Sequence, residues 1–578
     1  MTQKLKRRVK TLFLLALFGI MIGLNPGLVQ AAEEPGFDYI PIFEIQGEGF
    51  ESPFPYNTYV DTYGIVTADY QGESSRGFFV QDPVGDGNPV TSDGVYVYNY
   101  WYDVDVGDEV QLTGRVREYY GLTEIYAPYI TILSSGNPLP DPVELDPPFD
   151  DYASDVYYEA LEGMLVSVEC MRAVAGTNGY GEAAGVVWDT HVKRVFQDDP
   201  AGTGGIIFTD DAGGCLVNAR TGNIIKNLVG PLDYTFDEYK VLPSAYNPPL
   251  VFPEWWAESD FVWPRGITRG FTVATYNIYN LFDEVDTPDK EDAVYDPEYV
   301  DLLLSKHARA IRDYLRLPDL IAVQEVENLE ILERLADTAP IQGIYGAVLI
   351  DGPDVRGIDV GLLYRLDRAE VISAEARQTC TDLGDGYGPG TDPNFPCDEG
   401  YNPLFSRPPL VVHLRTIIQG HRCGPKSGTD LWLIINHFKS KSTYAPTYAD
   451  TEPRRIKQAE WVNSLVDEIQ DNNRRAKIIV LGDLNSFPNE APVYTLQDGG
   501  LKDLIYGVRK SSRYTYIFNG VSEVLDHMLI SKSLKCKFRE ARIVHFNVDF
   551  PYDTWADDPS IGIRSSDHDV LMASFWIL

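Results

Sequence analysis

The rhythm of apolar and polar positions changes at about residue 270. From Ile40 to about Ser135 the chain carries short runs rich in Val, Tyr, Phe and Thr, such as GFFVQDP, GVYVYNY and VDVGDEVQLTGRVREYYGLTEIY, broken by turn clusters such as GDGNP and TSDG. This alternation predicts strands, and no window holds a helical period. The layout predicts a small closed β-barrel over residues 38–138. After a Pro/Asp-rich linker, NPLPDPVELDPPFDD, a second β-rich module is expected over 152–248, followed by the Pro/Trp-rich passage YNPPLVFPEWW. From Phe271, strand-like runs such as FTVATYN and LIAVQEV alternate with helical patterns in YVDLLLSKHARAIRDYL and RRIKQAEWVNSLVDEIQ. That alternation predicts an α/β domain over residues 268–578.

The first ten residues carry five cations and no acid, Leu12 to Leu24 is apolar, and Val29-Gln30-Ala31 offers a small-residue cleavage site. Residues 1–31 therefore read as a secretory signal peptide. The apolar stretch is shorter than the roughly 20 residues a bilayer needs, so no stable membrane insertion is expected. The protein is expected outside the cell or in the periplasm. Export permits disulfides. The six cysteines include no CxxC, which argues against a zinc site. Cys380 and Cys397 bracket a Gly/Pro/Asp-rich loop and are the favoured pair.

Charge separates the two halves further. Without the signal-peptide cations there are 43 basic against 86 acidic residues. Glu33 to Asp260 holds 39 acids and 9 bases, whereas Phe261 to Leu578 holds 47 and 34. Nucleic-acid grooves are basic, so this balance counts against a strong generic polyanion binder and favours solubility and divalent cations.

Within the α/β domain, polar residues recur where apolar runs end: Asn277 after FTVATY, Glu325 after LIAVQ, His437 after LWLIIN, and Asp483 with Asn485 after KIIVLG. In two places the order reverses, with Asp526 before HMLIS and Asp567-His568 before DVLMASF. If those two strands run antiparallel to the others, every one of these groups meets at one sheet edge, where open α/β sheets bind ligands. A lone His or Asp at a strand end is ordinarily a hydrogen-bonded structural residue. The whole set has no shared packing role, because buried charges are costly unless paired or metal-bound.

The stretches TYNIYNLFD, AVQEVEN, GIDVGLLYR, INHFKSK, GDLNSFP, LDHMLIS and SSDHDV resemble, in order, the motifs of the endonuclease/exonuclease/phosphatase superfamily. The resemblance implies a four-layer α/β sandwich, with two packed mixed β-sheets flanked by helices. It implies that Glu325 is the main divalent-metal ligand, with Asn277 beside it, also near the phosphate, and Asp567 closing the site. Asp483 and Asn485 match the pair that aligns the attacking water and the phosphate. Asp526 resembles the carboxylate that orients His568, and His568 the imidazole that faces the scissile phosphate. His437 matches a second phosphate-contacting histidine, and Arg407 in FSRPPLVV resembles an arginine supporting the phosphate side. Asp359 stands where some relatives place an acid or aromatic partner. The implied cofactor is Mg2+ or Mn2+, with Ca2+ as a further option. These residue types suit phosphodiester hydrolysis, whose developing negative charge needs a hard cation and fixed donors.

The β modules ahead of this domain are similar to those of secreted bacterial nucleases with an N-terminal OB-fold module. The expected function is therefore a secreted, metal-dependent, nonspecific nuclease acting on DNA, RNA or both, with nucleic acid as substrate and no protein partner implied. A secreted phosphodiesterase or phosphatase for small organophosphates is the alternative, and a matrix-binding β protein with a degenerate hydrolase domain is a third. Tyrosines in VYVYNYWY and REYYGLTEIY either fill a β core or stack exposed bases, and core filling is the favoured reading. The Asp-rich passage DPVGDGNPVTSDG reads as turns, since EF-hand spacing is absent.

Overall fold

Alternation builds the first sheet. Five strands, β1 (Tyr59–Asp69), β2 (Gly77–Gln81), β3 (Gly94–Tyr98), β4 (Glu109–Tyr119) and β5 (Leu122–Ser134), close into a barrel in the order β1-β2-β3-β5-β4. In β4, Val110, Leu112 and Val116 enter the barrel core while Gln111, Thr113 and Arg115 lie on the other face, as the two-residue period of a closed sheet requires. Gly114 occupies an inward position where a Cβ would stand 2.7 Å from the carbonyl oxygen of Tyr126. A short helix, α1 (Ile42–Gln46), lies within text that shows no helical period and adds Ile42 and Ile45 to the barrel core. This computed structural model describes residues 39–72, 76–253, 266–288, 290–384, 392–418, 426–441 and 451–577. The expected signal peptide and Cys423 lie outside those residues. Among the described residues no helix is long and apolar enough to cross a membrane.

The second module is a seven-stranded sheet in the order β13-β11-β12-β10-β8-β7-β6. Its strands are β6 (Val143–Glu144), β7 (Leu165–Ala173), β8 (Ala183–Val187), β10 (Ile207–Thr209), β11 (Ile224–Thr235), β12 (Glu238–Val241) and β13 (Leu250–Phe252). A helix, α2 (Asp151–Glu159), starts at Asp150, whose side chain accepts from the Ala153 N–H. Two passages that read as linkers are built into this sheet. Val143–Glu144 pairs in parallel with Val166–Ser167, and Leu250–Phe252 pairs with Ile224–Lys226. Prolines confine such segments to sheet edges but leave one side free to pair. The short strand β9 (Val195–Phe196) leaves the module altogether and pairs with the α/β domain.

That domain contains two six-stranded mixed sheets. The first, in the order β16-β17-β15-β14-β29-β28, comprises β14 (Phe271–Leu281), β15 (Leu320–Val326), β16 (Tyr345–Leu349), β17 (Asp359–Arg365), β28 (Phe538–Val544) and β29 (Val570–Phe575). The second, in the order β18-β21-β22-β23-β27-β24, comprises β18 (Ala369–Ala376), β21 (Leu410–Ile418), β22 (Lys426–His437), β23 (Ile478–Asp483), β24 (Lys502–Asp503) and β27 (Asp526–Ile530). Short pairs complete it: β19 (Cys380–Thr381) with β20 (Asn402–Pro403), and β25 (Tyr516–Phe518) with β26 (Val521–Glu523). The expected Cys380–Cys397 disulfide is present.

Each central strand serves two cores. In β14, Ala274, Tyr276 and Ile278 pack toward helices α3 (Pro297–Arg309) and α4 (Leu329–Ala336) with Val300, Leu304, Ile331 and Leu335. Phe271 and Val273, on the other face, join Leu362 and Leu571 against Val412, Leu433, Leu481 and Met528 of the second sheet. Ile478 and Val480 then pack on helices α5 (Glu452–Asn472) and α6 (Ala491–Asp498) through Val462, Leu465 and Leu496. Burial on both faces is why these strands read as continuous apolar runs.

Candidate active site

Strand direction decides which chain ends meet. β14 and β15 run parallel, as do β22 and β23, whereas β29 is antiparallel to β14 and β27 is antiparallel to β23. Asn277, Glu325, His437 and Asp483 therefore leave their strands at the end where Asp526 and the Asp567-His568 pair enter theirs. Asp483 and Asp526 are direct cross-strand partners.

Local irregularities aim the side chains. The β14–β15 register shifts between Asn277 and Leu281, and the β15–β17 register shifts between Gln324 and Val326. Glu325 sits in that second bulge with φ +63°, and Tyr279 and Asn280 are likewise left-handed. Such bulges re-aim side chains beside functional sites, and their backbone strain persists only where the surroundings enforce it. Gly482 precedes Asp483 with φ +135°, and a Cβ there would lie 1.9 Å from the Asn436 carbonyl oxygen. No other residue fits that approach.

The polar groups form one connected network. Asn277 Nδ2 donates to Glu325 Oε1 at 3.3 Å and to Asp483 Oδ2 at 3.2 Å, and its Oδ1 accepts from the Tyr279 N–H at 3.0 Å. Asp483 Oδ1 accepts from the Asn485 N–H at 2.8 Å, while Asn485 Nδ2 donates to the Phe438 carbonyl at 3.1 Å. His437 Nε2 stands 3.6 Å from Asp483 and 3.8 Å from Glu325. His568 Nδ1 is 2.8 Å from Asp526 Oδ2, and the His568 ring packs on Tyr516 with centroids 4.8 Å apart. Ser566 Oγ donates to the Asn277 carbonyl at 2.7 Å and accepts from the His568 N–H at 3.0 Å, which ties the SSDHD loop to β14.

Arg407 and Asp359 lie to one side. Arg407 is nearly buried, donating to Asp354 Oδ2 at 2.7 Å and to the same Phe438 carbonyl that holds Asn485. Asp359 accepts from the Gly352 N–H at 2.8 Å and so fastens the loop that carries Asp354.

Burial and neighbouring charge divide the titrating groups. Burial pushes the Asp483 carboxyl up to about 7, opposed by His568 and reinforced by Asp526 and Glu325. Burial likewise raises Asp567 to about 6 and Asp359 to about 7. Burial alone would depress His568, but the carboxylates of Asp526, Asp567 and Asp483 outweigh it and hold the imidazole well above its ordinary value. His437 goes the other way, lowered by burial and then by Arg407, Arg356, His568 and Lys439. Burial and neighbouring charge thus shift the two imidazoles in opposite directions.

Arg356, Lys439, Asn280 and Tyr516 belong to this neighbourhood although the sequence reading gave them no role. Lys439 falls inside a quoted motif and Arg356 immediately precedes one, but nothing in a linear pattern indicates that both converge on His437. They also concentrate positive charge locally in a chain of net charge −38.

Among the described residues no group of three His, Cys, Asp or Glu is arranged to hold a metal ion. The oxygen donors nevertheless suit a hard cation that keeps several waters. Asp567 Oδ1 and Asn280 Oδ1 are buried with no hydrogen-bond partner. The Glu325 charge contributes to raising Asp567, as expected for two carboxylates facing one another.

Residues 272–386 and 412–548 match the model described as the Endonuclease/Exonuclease/phosphatase family. The C-terminal domain is similar to this family over most of its length. The match spans Asn277, Glu325, Asp359, His437, Asp483, Asn485 and Asp526. Arg407 falls in its internal gap, and Asp567 and His568 lie beyond its end. A second model, a domain of unknown function, matches residues 139–251. No curated protein matches the chain.

Similar solved structures include a Bacteroides thetaiotaomicron endonuclease/exonuclease/phosphatase family protein, 14% identical, covering 53% of this chain and 94% of that one, with TM-score 0.33. A Bacteroides vulgatus endonuclease/exonuclease/phosphatase is 16% identical over 54% of this chain and 100% of its own, with TM-score 0.34. The human Nocturnin catalytic domain is 17% identical over 53% of this chain and 94% of its own, with TM-score 0.32.

Proposed function

We propose that this protein is a divalent-metal-dependent phosphodiesterase, exported from the cell and acting as a nuclease of low sequence specificity on DNA, RNA or both. One observation carries the reading: the His568–Asp526 pair stands beside Asp483, and Asn277 ties Asp483 to Glu325. The family match supports the reaction class, because endonuclease/exonuclease/phosphatase domains generally hydrolyse phosphodiester bonds. The stacking of two sheets between two helical faces supports a four-layer sandwich. The barrel's β1-β2-β3-β5-β4 order supports an OB-type module.

In this reading Asp483, fixed by the Asn485 N–H and the Asn277 amide, aligns and deprotonates the attacking water. Asp526 holds Nδ1 of His568, so that Nε2 of the charged imidazole is the atom left for the phosphate. Neutral His437, with Asn485, offers donors to the phosphate oxygens, and Arg407 backs them with positive charge. Glu325 and Asp567, with Asn277 beside them, would hold a Mg2+ or Mn2+ ion, which when bound neutralises charge developing on the phosphate.

The barrel supports a nucleic-acid substrate in spite of its acidity. Tyr96 fills the barrel side, as the core reading expects, but Tyr100, Trp101, Tyr102, Tyr119 and Tyr120 are exposed. Tyr98 stacks on Tyr126 and Trp101 stacks on Tyr100, with ring centroids 5.8 and 4.3 Å apart. The cations of residues 39–138 are Arg76, Arg115 and Arg117, and each lies over a tyrosine ring. An aromatic strip interleaved with guanidinium groups suits unstacked bases. Trp101→Ala should raise KM for a single-stranded oligonucleotide by about ten-fold, the worth of one stacked base, while hydrolysis of bis-p-nitrophenyl phosphate stays unchanged. Equal KM values on the oligonucleotide would remove the strip from substrate binding.

The direct test incubates purified mature protein with plasmid, single-stranded DNA, RNA and bis-p-nitrophenyl phosphate, in Mg2+, in Ca2+ and in EDTA. The reading expects loss of the nucleic acids with metal and at least a hundred-fold slower loss in EDTA, since the cation carries much of the charge stabilisation. Hydrolysis confined to the small ester would replace the nuclease by an organophosphate phosphodiesterase. Absence of all turnover would leave a binding protein.

A further inference from the structure

The second β module reaches into the α/β domain at one side chain. Arg194, only 11% exposed, donates from Nη2 to Asp549 Oδ1 at 2.6 Å and from Nη1 to Ser522 Oγ at 2.8 Å. Its guanidinium lies 3.9 Å from the centre of the Tyr514 ring. The adjoining residues continue the junction, since Val195 and Phe196 pair with Val521 and Ser522, and Gln197 Oε1 accepts from the Val524 N–H at 3.2 Å.

From Arg194 an unbroken chain of contacts runs to the catalytic loop. Tyr514 OH donates to Asp549 Oδ2 at 2.7 Å, and the Tyr514 ring stacks on His545 at 4.0 Å. His545 Nδ1 pairs with Asp569 Oδ2 at 2.8 Å, and Asp569 Oδ1 accepts from the Phe546 and Asn547 N–H groups. Asn547 in turn donates to the His568 carbonyl at 2.6 Å and accepts from the Ser565 N–H at 3.0 Å. On the other flank, the hydroxyl of Thr515, beside Tyr514, accepts from the Asp526 N–H at 3.2 Å, and the Thr515 carbonyl accepts from the Asp569 N–H at 2.7 Å. Asp526 is therefore held by Thr515, the chain neighbour of Tyr514, which Arg194 touches, and His568 is held by Asn547, at the far end of the chain of contacts that starts at Tyr514.

We propose that Arg194 is a positioning residue for hydrolysis, through which the second β module fixes the His568–Asp526 pair. The module matched to a domain of unknown function thereby acquires a role as a support behind the active-site loop. A buried guanidinium suits this task, because its planar fork holds Asp549 and Ser522 at once and its face lies on Tyr514. The inference rests on the reading of His568 as a catalytic group, so the experiment must separate the two.

Steady-state kinetics on bis-p-nitrophenyl phosphate with Mn2+ would compare the wild type with Arg194→Met, Arg194→Lys and Lys240→Met. Lys240 pairs with Glu182 at 2.6 Å and with Asp210 at 3.5 Å inside the second module, so its variant perturbs the module through contacts other than those of the segment that carries Arg194. Arg194→Met should lower kcat by about a hundred-fold with KM changed by no more than about two-fold, the pattern of a displaced catalytic group. Arg194→Lys keeps a charge beside Asp549 and should fold, with a kcat loss of roughly ten-fold. Lys240→Met should lower the melting temperature and leave kcat unchanged. Imidazole nitrogen–proton NMR spectra, with His568 assigned through His568→Asn, should show its signals displaced in Arg194→Lys but not in Lys240→Met. Wild-type kcat in Arg194→Lys together with undisplaced His568 signals would overturn the proposal. An inactive wild type would defeat the phosphodiesterase reading instead, and the NMR comparison would then decide this one by itself.

Discussion

Replacing His568 with alanine is expected to lower kcat on a phosphodiester by about a thousand-fold, within the range of a lost general acid or charged phosphate partner. Part of the effect is structural. Asp526 is fully buried, its Oδ2 is held by His568, and its Oδ1 is buried with no hydrogen-bond partner. Alanine would leave that carboxylate without its imidazole, at a cost of about 3 kcal/mol in stability. His568→Asn separates the two contributions, because an asparagine amide can stand where Nδ1 now donates to Asp526 but presents nothing at the Nε2 position. Both variants should lose turnover alike, while only the alanine variant should melt markedly earlier. Turnover within ten-fold of wild type in either one, measured well below its melting temperature, would end the assignment of His568.

Ending the chain after Asp569 should abolish cooperative folding, although the site residues all remain. The six residues of β29 are buried, and the strand pairs with β14 on one side and β28 on the other. Val570 and Met572 fill the core beneath helices α3 and α4, whereas Leu571, Ala573 and Phe575 fill the space between the two sheets. Losing the burial of these side chains removes about 10 kcal/mol of apolar stabilisation. A domain whose whole stability is of the order of 5–15 kcal/mol cannot absorb that loss. The truncated protein should be insoluble, or lack a calorimetric transition for the α/β domain. A soluble product with a wild-type melting profile would show that β29 is dispensable.

Much of the site was legible because strand ends punctuate the chain. FTVATYN and KIIVLGD each end an apolar run on one polar residue, Asn277 and Asp483, and LWLIINH ends on two, Asn436 and His437. The Cys380–Cys397 pair was legible for a similar local reason, a loop of small and polar residues between two cysteines. Module boundaries were less so. Val143–Glu144 and Leu250–Phe252 sit among prolines that suggest linkers, yet each completes a sheet edge whose partner strand lies more than twenty residues away in sequence. The exposed rings of Tyr100 and Tyr120 depart from the core reading because both lie past strand ends, Tyr100 after β3 and Tyr120 in the turn between β4 and β5, where the two-residue period no longer applies.

By itself the sequence determined the α/β character of the C-terminal domain, the identities of the polar residues at its strand ends, and the acidic balance of the chain. These are properties of composition and short-range period, which the chain carries before it folds. Only the tertiary structure decided which ends meet, that the first and second sheets face each other across one core, and that Arg356, Arg407 and Lys439 all act on His437. It alone decided that Arg194, more than 300 residues before His568, supports the loop on which that histidine stands. Such contacts arise from register and strand direction between distant segments, and neither is encoded in any window of neighbouring residues.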